Sequence, residues 1–294
     1  MPMLSMSVAL GAQQTVRQQM QQVAQQLGAM PLIQNPQLPA LAGHIDTVKN
    51  HANVYLSAIS AEMNTVCALI QQYGVQLNAT TGQVLTIVNV NSDNAVIGQA
   101  QTLLKNVLNA SGPLNAALNQ LVSQVAAFNN DITADSRNLI VDQQQAQQIF
   151  AADQAHLQSL TAQLRALQQQ LADKKRDEII IGIFTFGIGA AIMELTGYVQ
   201  STENAINQAN QQTNQLSQEM AQLMATLQAL SAFSSGTAIL SGLSQCLLKG
   251  WQTVNADLRE VTQSMIPAAF LIATVNTINA NWNEVVTAAA QLQA

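Results

Sequence analysis

The sequence predicts an all-α protein: an elongated antiparallel helical bundle with a long coiled-coil-like hairpin and a small apolar head at its tip. Three observations carry that prediction. Apolar residues recur at alternating spacings of three and four through most of the 294 residues. Aromatic residues make up 4% of the chain and Gly and Pro are few, which favours long helices over a twisted sheet. One uncharged apolar stretch, residues 179–193, interrupts a chain whose polar surface must come from Gln, Asn, Ser and Thr. Charged residues are only 9% of it, against about 25% in ordinary soluble domains.

The first periodic stretch, "QTVRQQMQQVAQQLG", sets Val16, Met20, Val23 and Leu27 on one helical face and meets a stop at Gly28. Pro31, Pro36 and Pro39 then deny a continuous helix and predict a connection across one end of a bundle. From Ile45 the stripe is long, running through Val48, Ala52, Tyr55 or Leu56, Ile59, Met63, Val66, Ile70, Tyr73 and Leu77. "TTGQVLTIVNVNSDN" is β-branched and ends in turn residues, and fits either a short strand paired with "AVIG" or a helix join. "AQTLLKNVLNASGP" is helical up to a break near Gly112 and Pro113.

Beyond Pro113, which suits a first helical turn, come Leu114, Leu118, Leu121, Val125, Phe128 and Ile132. The stripe continues through Leu139, Ala146, Phe150, Leu157, Leu160, Leu164, Leu167 and Leu171, weakened by Asp135, Asp142 and Asp153. No Gly or Pro interrupts residues 114–178, a rod of roughly 95 Å at the α-helical rise. After the apolar stretch, Ile206, Ala209, Thr213, Leu216, Met220, Leu223, Leu227 and Leu230 repeat the spacing. Ser234, Ser235 and Gly236 form a weak point where the helix could kink or its apolar stripe shift. Leu247, Trp251, Val254, Leu258, Val261 and Met265 restore the stripe until Pro267, for a second rod of roughly 100 Å. Two rods of matched length joined by a short apolar segment predict an antiparallel hairpin, with the earlier helices beside the rods at the end away from the tip. The alternative folds each rod back as several shorter helices. The hairpin reading divides the chain into residues 1–172 (N-terminal helices and first rod), 173–200 (apolar tip) and 201–294 (second rod and C-terminal segment).

The tip reads "DKKRDEIIIGIFTFGIGAAIMELTGYVQ": six charged residues, then an apolar run containing Ile179, Ile180, Ile181, Gly182, Ile183, Phe184, Phe186, Gly187, Ile188, Gly189, Ile192 and Met193. As a helix the run is about 22 Å long, short of the roughly 30 Å of a hydrocarbon core. A single crossing would also put the rods on opposite sides of a membrane, which argues against a permanent anchor. Gly187 and Gly189 can bend the backbone or permit close approach, and a tip folded back there is a single apolar knob, with Lys174, Lys175 and Arg176 at headgroup level when it meets lipid. Two readings stand: a knob shielded in water and deployed into lipid or onto a partner, or a buried cap between helices.

Other functions find little support. The net charge of −6 and a basic patch offset by Asp173, Asp177 and Glu178 argue against nucleic acid as a partner. No Walker motif, nucleophile elbow, HExxH or GxGxxG occurs, so neither an enzyme nor a cofactor is expected. His44 and His51 stand seven apart near Asp46, but His156 is remote and a metal needs more ligands, so they read as packing or surface residues. Asp131 and Asp135 read as a solvated helix face. Cys67 and Cys246 read as two buried free thiols, or as one disulfide if two helices bring them together. The start of the sequence lacks a basic n-region, its first cation being Arg17, which predicts a cytoplasmic protein or export without a standard signal peptide.

The layout resembles the α-helical pore-forming toxins, a family that includes cytolysin A and the bacillary haemolytic and non-haemolytic enterotoxin components. "DEIIIGIFTFGIGAAIMELTG" stands where that family inserts a hydrophobic head between two long helices. "LSQCLLKGWQTVNADLREVTQSM", with Leu243, Leu247, Trp251, Val254 and Leu258 in register, is similar to its tail helix, and "IDTVKNHANVYLSAISAEMNTV" to its early tail helix. The resemblance implies a secreted toxin component, soluble and then membrane-associated, that inserts its tip into a target-cell lipid membrane. It implies tail packing by Leu247, Trp251, Val254 and Leu258. The tip is shorter than the long tongues of several members, which implies assembly with homologous components or with itself. Without the resemblance, a non-enzymatic coiled-coil protein docking a partner through its apolar tip, or an intracellular scaffold hairpin, fits the same residues.

Overall fold

The computed structural model describes the backbone of residues 10–30, 33, 35–181, 186–263 and 265–293, and their side chains except at 10–17, 19, 174–181, 186–192, 291 and 293. These residues form α1 (Leu10–Ala29), α2 (Leu41–Val54), a π-helical turn (Tyr55–Ile59), α3 (Ser60–Val90), α4 (Asn94–Asn109), α5 (Gly112–Ile181), α6 (Phe186–Gln263) and α7 (Ala268–Gln293). No strand occurs among the described residues. The all-α class follows directly from the three-four spacing and the shortage of breakers.

Each break has a local cause. The Pro31–Pro39 region separates α1 from α2, as its prolines dictate. α2 enters α3 through the π turn with helical dihedrals on both sides, so the stripe from Ile45 to Val88 is carried by one unbroken helical path. The ambiguous "TTGQVLTIVNV" is helix rather than strand, because Thr81, Val84 and Val88 continue the buried face of α3. Its end is set by Asn91, whose side-chain Oδ1 accepts from the Asp93 N–H at 3.0 Å in a tight turn before α4. α5 and α6, of 70 and 78 residues, extend beyond the expected rods into the apolar stretch from both sides. α6 runs through Ser234, Ser235 and Gly236 without a break. The missing Cβ of Gly236 admits the Met20 side chain, whose Cγ would stand 2.6 Å from a Cβ there.

The contacts divide the chain into two units. The first comprises Met1–Pro31, Asp46–Ser136 and Ala229–Ala294. Its core is stacked on aromatic side chains. Tyr55, Phe128 and Phe233 pack together with ring centroids 5.3 to 5.9 Å apart, and Tyr73, Trp251 and Trp282 form a second cluster at 5.0 to 6.0 Å. Trp251 and Trp282 are fully buried. α7, which the pattern reading did not delineate beyond Pro267, lies against α3, where the Cys67 thiol donates to the Ala289 carbonyl at 3.3 Å. α4 folds back on α3, and the Tyr73 hydroxyl donates to Val107 O at 3.2 Å. The Gln101 amide reaches Val261 O at 2.8 Å and satisfies one of the orphan carbonyls at the end of α6.

The second unit comprises Leu32–Ile45 and Arg137–Gln228. Ile33, Leu38, Leu41 and Ile45 are buried in it with Leu139, Ala146, Leu216 and Leu223. Its short arm is tied to both long helices: the Asn35 amide donates to Glu219, and His44 Nδ1 lies 2.6 Å from Asp142 Oδ2. Buried hydroxyls recur on α6 in both units and are satisfied by their own helix. Thr226 donates to Gln222 O, Thr237 to Ser234 O and Ser244 to Ser241 O, at 2.8 to 3.0 Å.

Candidate functional site

The site expected from the sequence lies where α5 and α6 approach the apolar run. α5 keeps a helical backbone through Ile179, Ile180 and Ile181, and α6 is helical from Phe186 through Gly187, Ile188, Gly189, Ile192 and Met193. Gly187 and Gly189 stand in the first turn of α6, whose described backbone is helical from Phe186 onward. Gly182, Ile183 and Phe184 lie outside the described residues, as do the side chains of Lys174, Lys175, Arg176 and 179–192. Met193, the first described side chain of the run, is 74% exposed, and Tyr198 one helical turn on is 55% exposed.

The helices leading to the run are thinly covered. No residue is fully buried at 147–173 of α5 or at 193–208 of α6. Leu157, Leu160, Leu164, Leu167 and Leu171 are half-buried, as are Leu195, Val199 and Ile206. That is the burial of a two-helix seam, which shields one side of each leucine and leaves the other wet. The helix Met193–Gln263 contains a window of mean hydropathy 1.3, long and apolar enough to cross a membrane by composition. Leu223, Leu230, Phe233 and Leu240 of this helix are core residues, and 39% of that window is buried.

Among the residues assigned to tail packing, Leu247, Trp251, Val254 and Leu258 are all at 0 to 1% exposure in the first unit. Two polar pairs correct the sequence reading. Asp135, expected on a solvated face, is 3% exposed and lies 2.7 Å from His51 Nδ1, while Asp142 is 2% exposed in its pair with His44. Their seven-residue spacing matches that of the two histidines, so each imidazole N–H can donate to a carboxylate sitting in the α5 stripe. The signal was present in the sequence as acids at stripe positions, but nothing in it named their partners. The cysteines are also settled: both are thiols, with Cys67 buried and Cys246 exposed. No disulfide joins them, and Cys246 is not in the core. Among the described residues, no group of three His, Cys, Asp or Glu could hold a metal ion.

Comparisons with known proteins place this architecture. The family model of the Bacillus haemolytic enterotoxin (HBL) matches residues 7–174, ending just before the apolar run. No curated protein sequence matches the chain. Among solved structures, the SmhB pore of the tripartite α-pore-forming toxin Smh from Serratia marcescens superposes with a TM-score of 0.73 at 11% identity, over 95% of this chain and 98% of that one. XaxA from Xenorhabdus nematophila gives 0.71 at 10% identity, over 95% and 94%. The soluble AhlC triple head mutant of the tripartite toxin AHL from Aeromonas hydrophila gives 0.69 at 15% identity, over 94% and 97%. At these identities the likeness is one of fold.

Proposed function

This chain belongs to the Bacillus haemolytic enterotoxin (HBL) family, and on that basis we propose that it is one component of a secreted pore-forming toxin. In this reading residues 173–200 are its membrane-inserting tip, carried between N-terminal helices with the first rod (1–172) and the second rod with the C-terminal segment (201–294). The observation that carries the proposal is a charge-free apolar run between helices of 70 and 78 residues, whose approaches at 147–173 and 193–208 hold no fully buried residue. Ile179, Ile180, Ile181, Ile183, Phe184, Phe186, Ile188, Ile192 and Met193 supply the apolar surface, and Lys174, Lys175 and Arg176 hold its base at the phosphate level. The residues do no bond-making chemistry. Their work is transfer of apolar surface from water to lipid.

Length argues for an assembly. The helical part of the run on α6, 186–193, measures about 12 Å, less than half of the roughly 30 Å hydrocarbon core. A chain of this reach enters about one leaflet, so a complete pore draws on homologous components, further copies of this chain, or both. The solved relatives described as tripartite support that reading. The protein is then soluble and extracellular before it meets a target-cell membrane.

The test is Ile183→Asp combined with Ile188→Asp. Two carboxylates at the tip should abolish dye release from phospholipid vesicles, assayed with homologous components where the chain alone is inactive, while circular dichroism of the soluble protein stays unchanged. Undiminished leakage from the folded variant would reject membrane insertion by the tip. Loss of the folded state in water would show that the run is an interhelical cap.

A further inference from the structure

We propose that the arm of the second unit, Leu32–Ile45, is a clamp on the two long helices: it ties α5 to α6 at Asp142 and Glu219, and a seam that opens from the side of the apolar run stops at that level. The clamp rests on contacts within the second unit alone and stands whether or not the run enters lipid.

The arm is built to hold its shape. Residues 35–38 and 38–41 form two successive turns, closed by the Leu38 N–H on Asn35 O at 3.0 Å and the Leu41 N–H on Leu38 O at 3.2 Å. Pro36 and Pro39 take the second position of each turn, where a fixed φ suits the geometry, and the Asn35 side-chain oxygen accepts from the Gln37 N–H at 2.8 Å. The turns lead directly into α2 and leave Leu38 and Leu41 buried.

Its two ends grip different helices. The Asn35 amide donates to one carboxylate oxygen of Glu219 on α6, and the other oxygen takes the Gln215 amide at 2.9 Å. Further along the arm, His44 Nδ1 stands 2.6 Å from Asp142 Oδ2 on α5. Glu219 and Asp142 are both buried, so breaking either tie would leave a shielded acceptor without its partner.

Burial changes beyond these ties. Leu139 and Ala146 bracket Asp142, and Leu216 and Leu223 bracket Glu219, all at 0 to 2% exposure. Toward the run, full burial among the described side chains ends at Ala146 on α5 and at Ala209 on α6. Asp153 stands in the α5 stripe on that side, with its Oδ2 closed off from solvent and without a hydrogen-bond donor. The acids under the arm have donors, and the acid beyond it has none on that oxygen. Few buried contacts and an unpaired acceptor make the run-side seam the stretch that opens first, and the clamp level the stretch that resists.

Hydrogen exchange of the full chain at neutral pH, read by mass spectrometry, tests the clamp. Amides of 150–172 and 196–208 are expected to exchange about tenfold faster than those of 137–146 and 212–224. Asn35→Ala with His44→Ala cuts both ties and should raise exchange at 137–146 and 212–224 about tenfold, while α3, in the first unit, keeps its rates. Pro36→Gly with Pro39→Gly leaves the tie residues in place and only loosens the arm, so the same segments should speed up about fivefold, and this variant decides the question if the first does not fold. Equal exchange on the two sides of the clamp level in the unaltered chain would overturn the proposal. So would variants in which 137–146 and 212–224 keep their original rates, or in which α3 accelerates as much as they do.

Discussion

Gly74 and Gly82 lie in the same helix, α3, and should respond oppositely to the same substitution. Replacing glycine by alanine in a helix interior gains about 1 kcal/mol of backbone propensity. At Gly82 a new Cβ meets nothing within 4 Å, so Gly82→Ala is expected to stabilise by close to that amount. At Gly74 it would stand 2.7 Å from Trp282 Nε1 and 3.2 Å from Cε2 and Cζ2. Trp282 cannot give way easily, being fully buried between Tyr73 and Trp251 at ring distances of 5.3 and 6.0 Å. Overpacking of this kind costs about 1–3 kcal/mol, which offsets or exceeds the propensity gain. Gly74→Ala should therefore be about 1–3 kcal/mol less stable than Gly82→Ala, a separation of several degrees in melting temperature. Urea unfolding followed by far-ultraviolet circular dichroism, with near-ultraviolet signals for the tryptophans, measures both. If Gly74→Ala stabilises as much as Gly82→Ala, the aromatic cluster is not packed against the α3 backbone and the account of the first unit fails.

His51→Ala should destabilise by about 1–3 kcal/mol because it removes the imidazole beside a buried carboxylate, while His51→Gln, which keeps a donor, should retain most of that stability. A neutral alanine variant in urea unfolding would show that the pair contributes nothing. Burial pushes the Tyr73 phenol above its ordinary ionisation range of about 10, so the folded chain holds that proton more tightly than the unfolded chain. Its contribution is full below about pH 10 and is lost as pH rises beyond it, and melting temperatures between neutral pH and strong alkali should fall less steeply for Tyr73→Phe. Parallel curves for the two proteins would contradict the buried phenol.

Much of the fold was legible because helical periodicity is local. The stripes of α3, α5 and α6 could be read without knowing what they face, and the prolines and turn residues that end helices act on their own neighbours. α7 carries the same signal in Leu271, Val275, Ile278, Trp282 and Val285, all buried, but Pro267 closes the second rod before it and separates the two stripes. The strand alternative at "TTGQVLTIVNV" shows the limit of β-branched composition as evidence for a sheet. Thr81, Val84 and Val88 fall on a helical face already fixed by the residues before them, and packing overrides their intrinsic preference.

The sequence by itself determined the helical class, the long uninterrupted rods and the apolar run fenced by charge, since each follows from spacing along the chain. Tertiary structure alone decided which groups meet across it. His51 and Asp135 are 84 residues apart and His44 and Asp142 are 98 apart, so no local rule distinguishes a buried acid with a partner from a solvated one. The same holds for the thiols: helix rotation turns Cys67 into the core against α7 and Cys246 outward, although both sit in apolar stretches. The glycines follow suit, because Gly74 and Gly236 acquire their meaning only when Trp282 and Met20 arrive from other helices. Periodicity fixes a face, but the identity of whatever covers that face is a long-range choice, made by the packing of side chains distant in sequence.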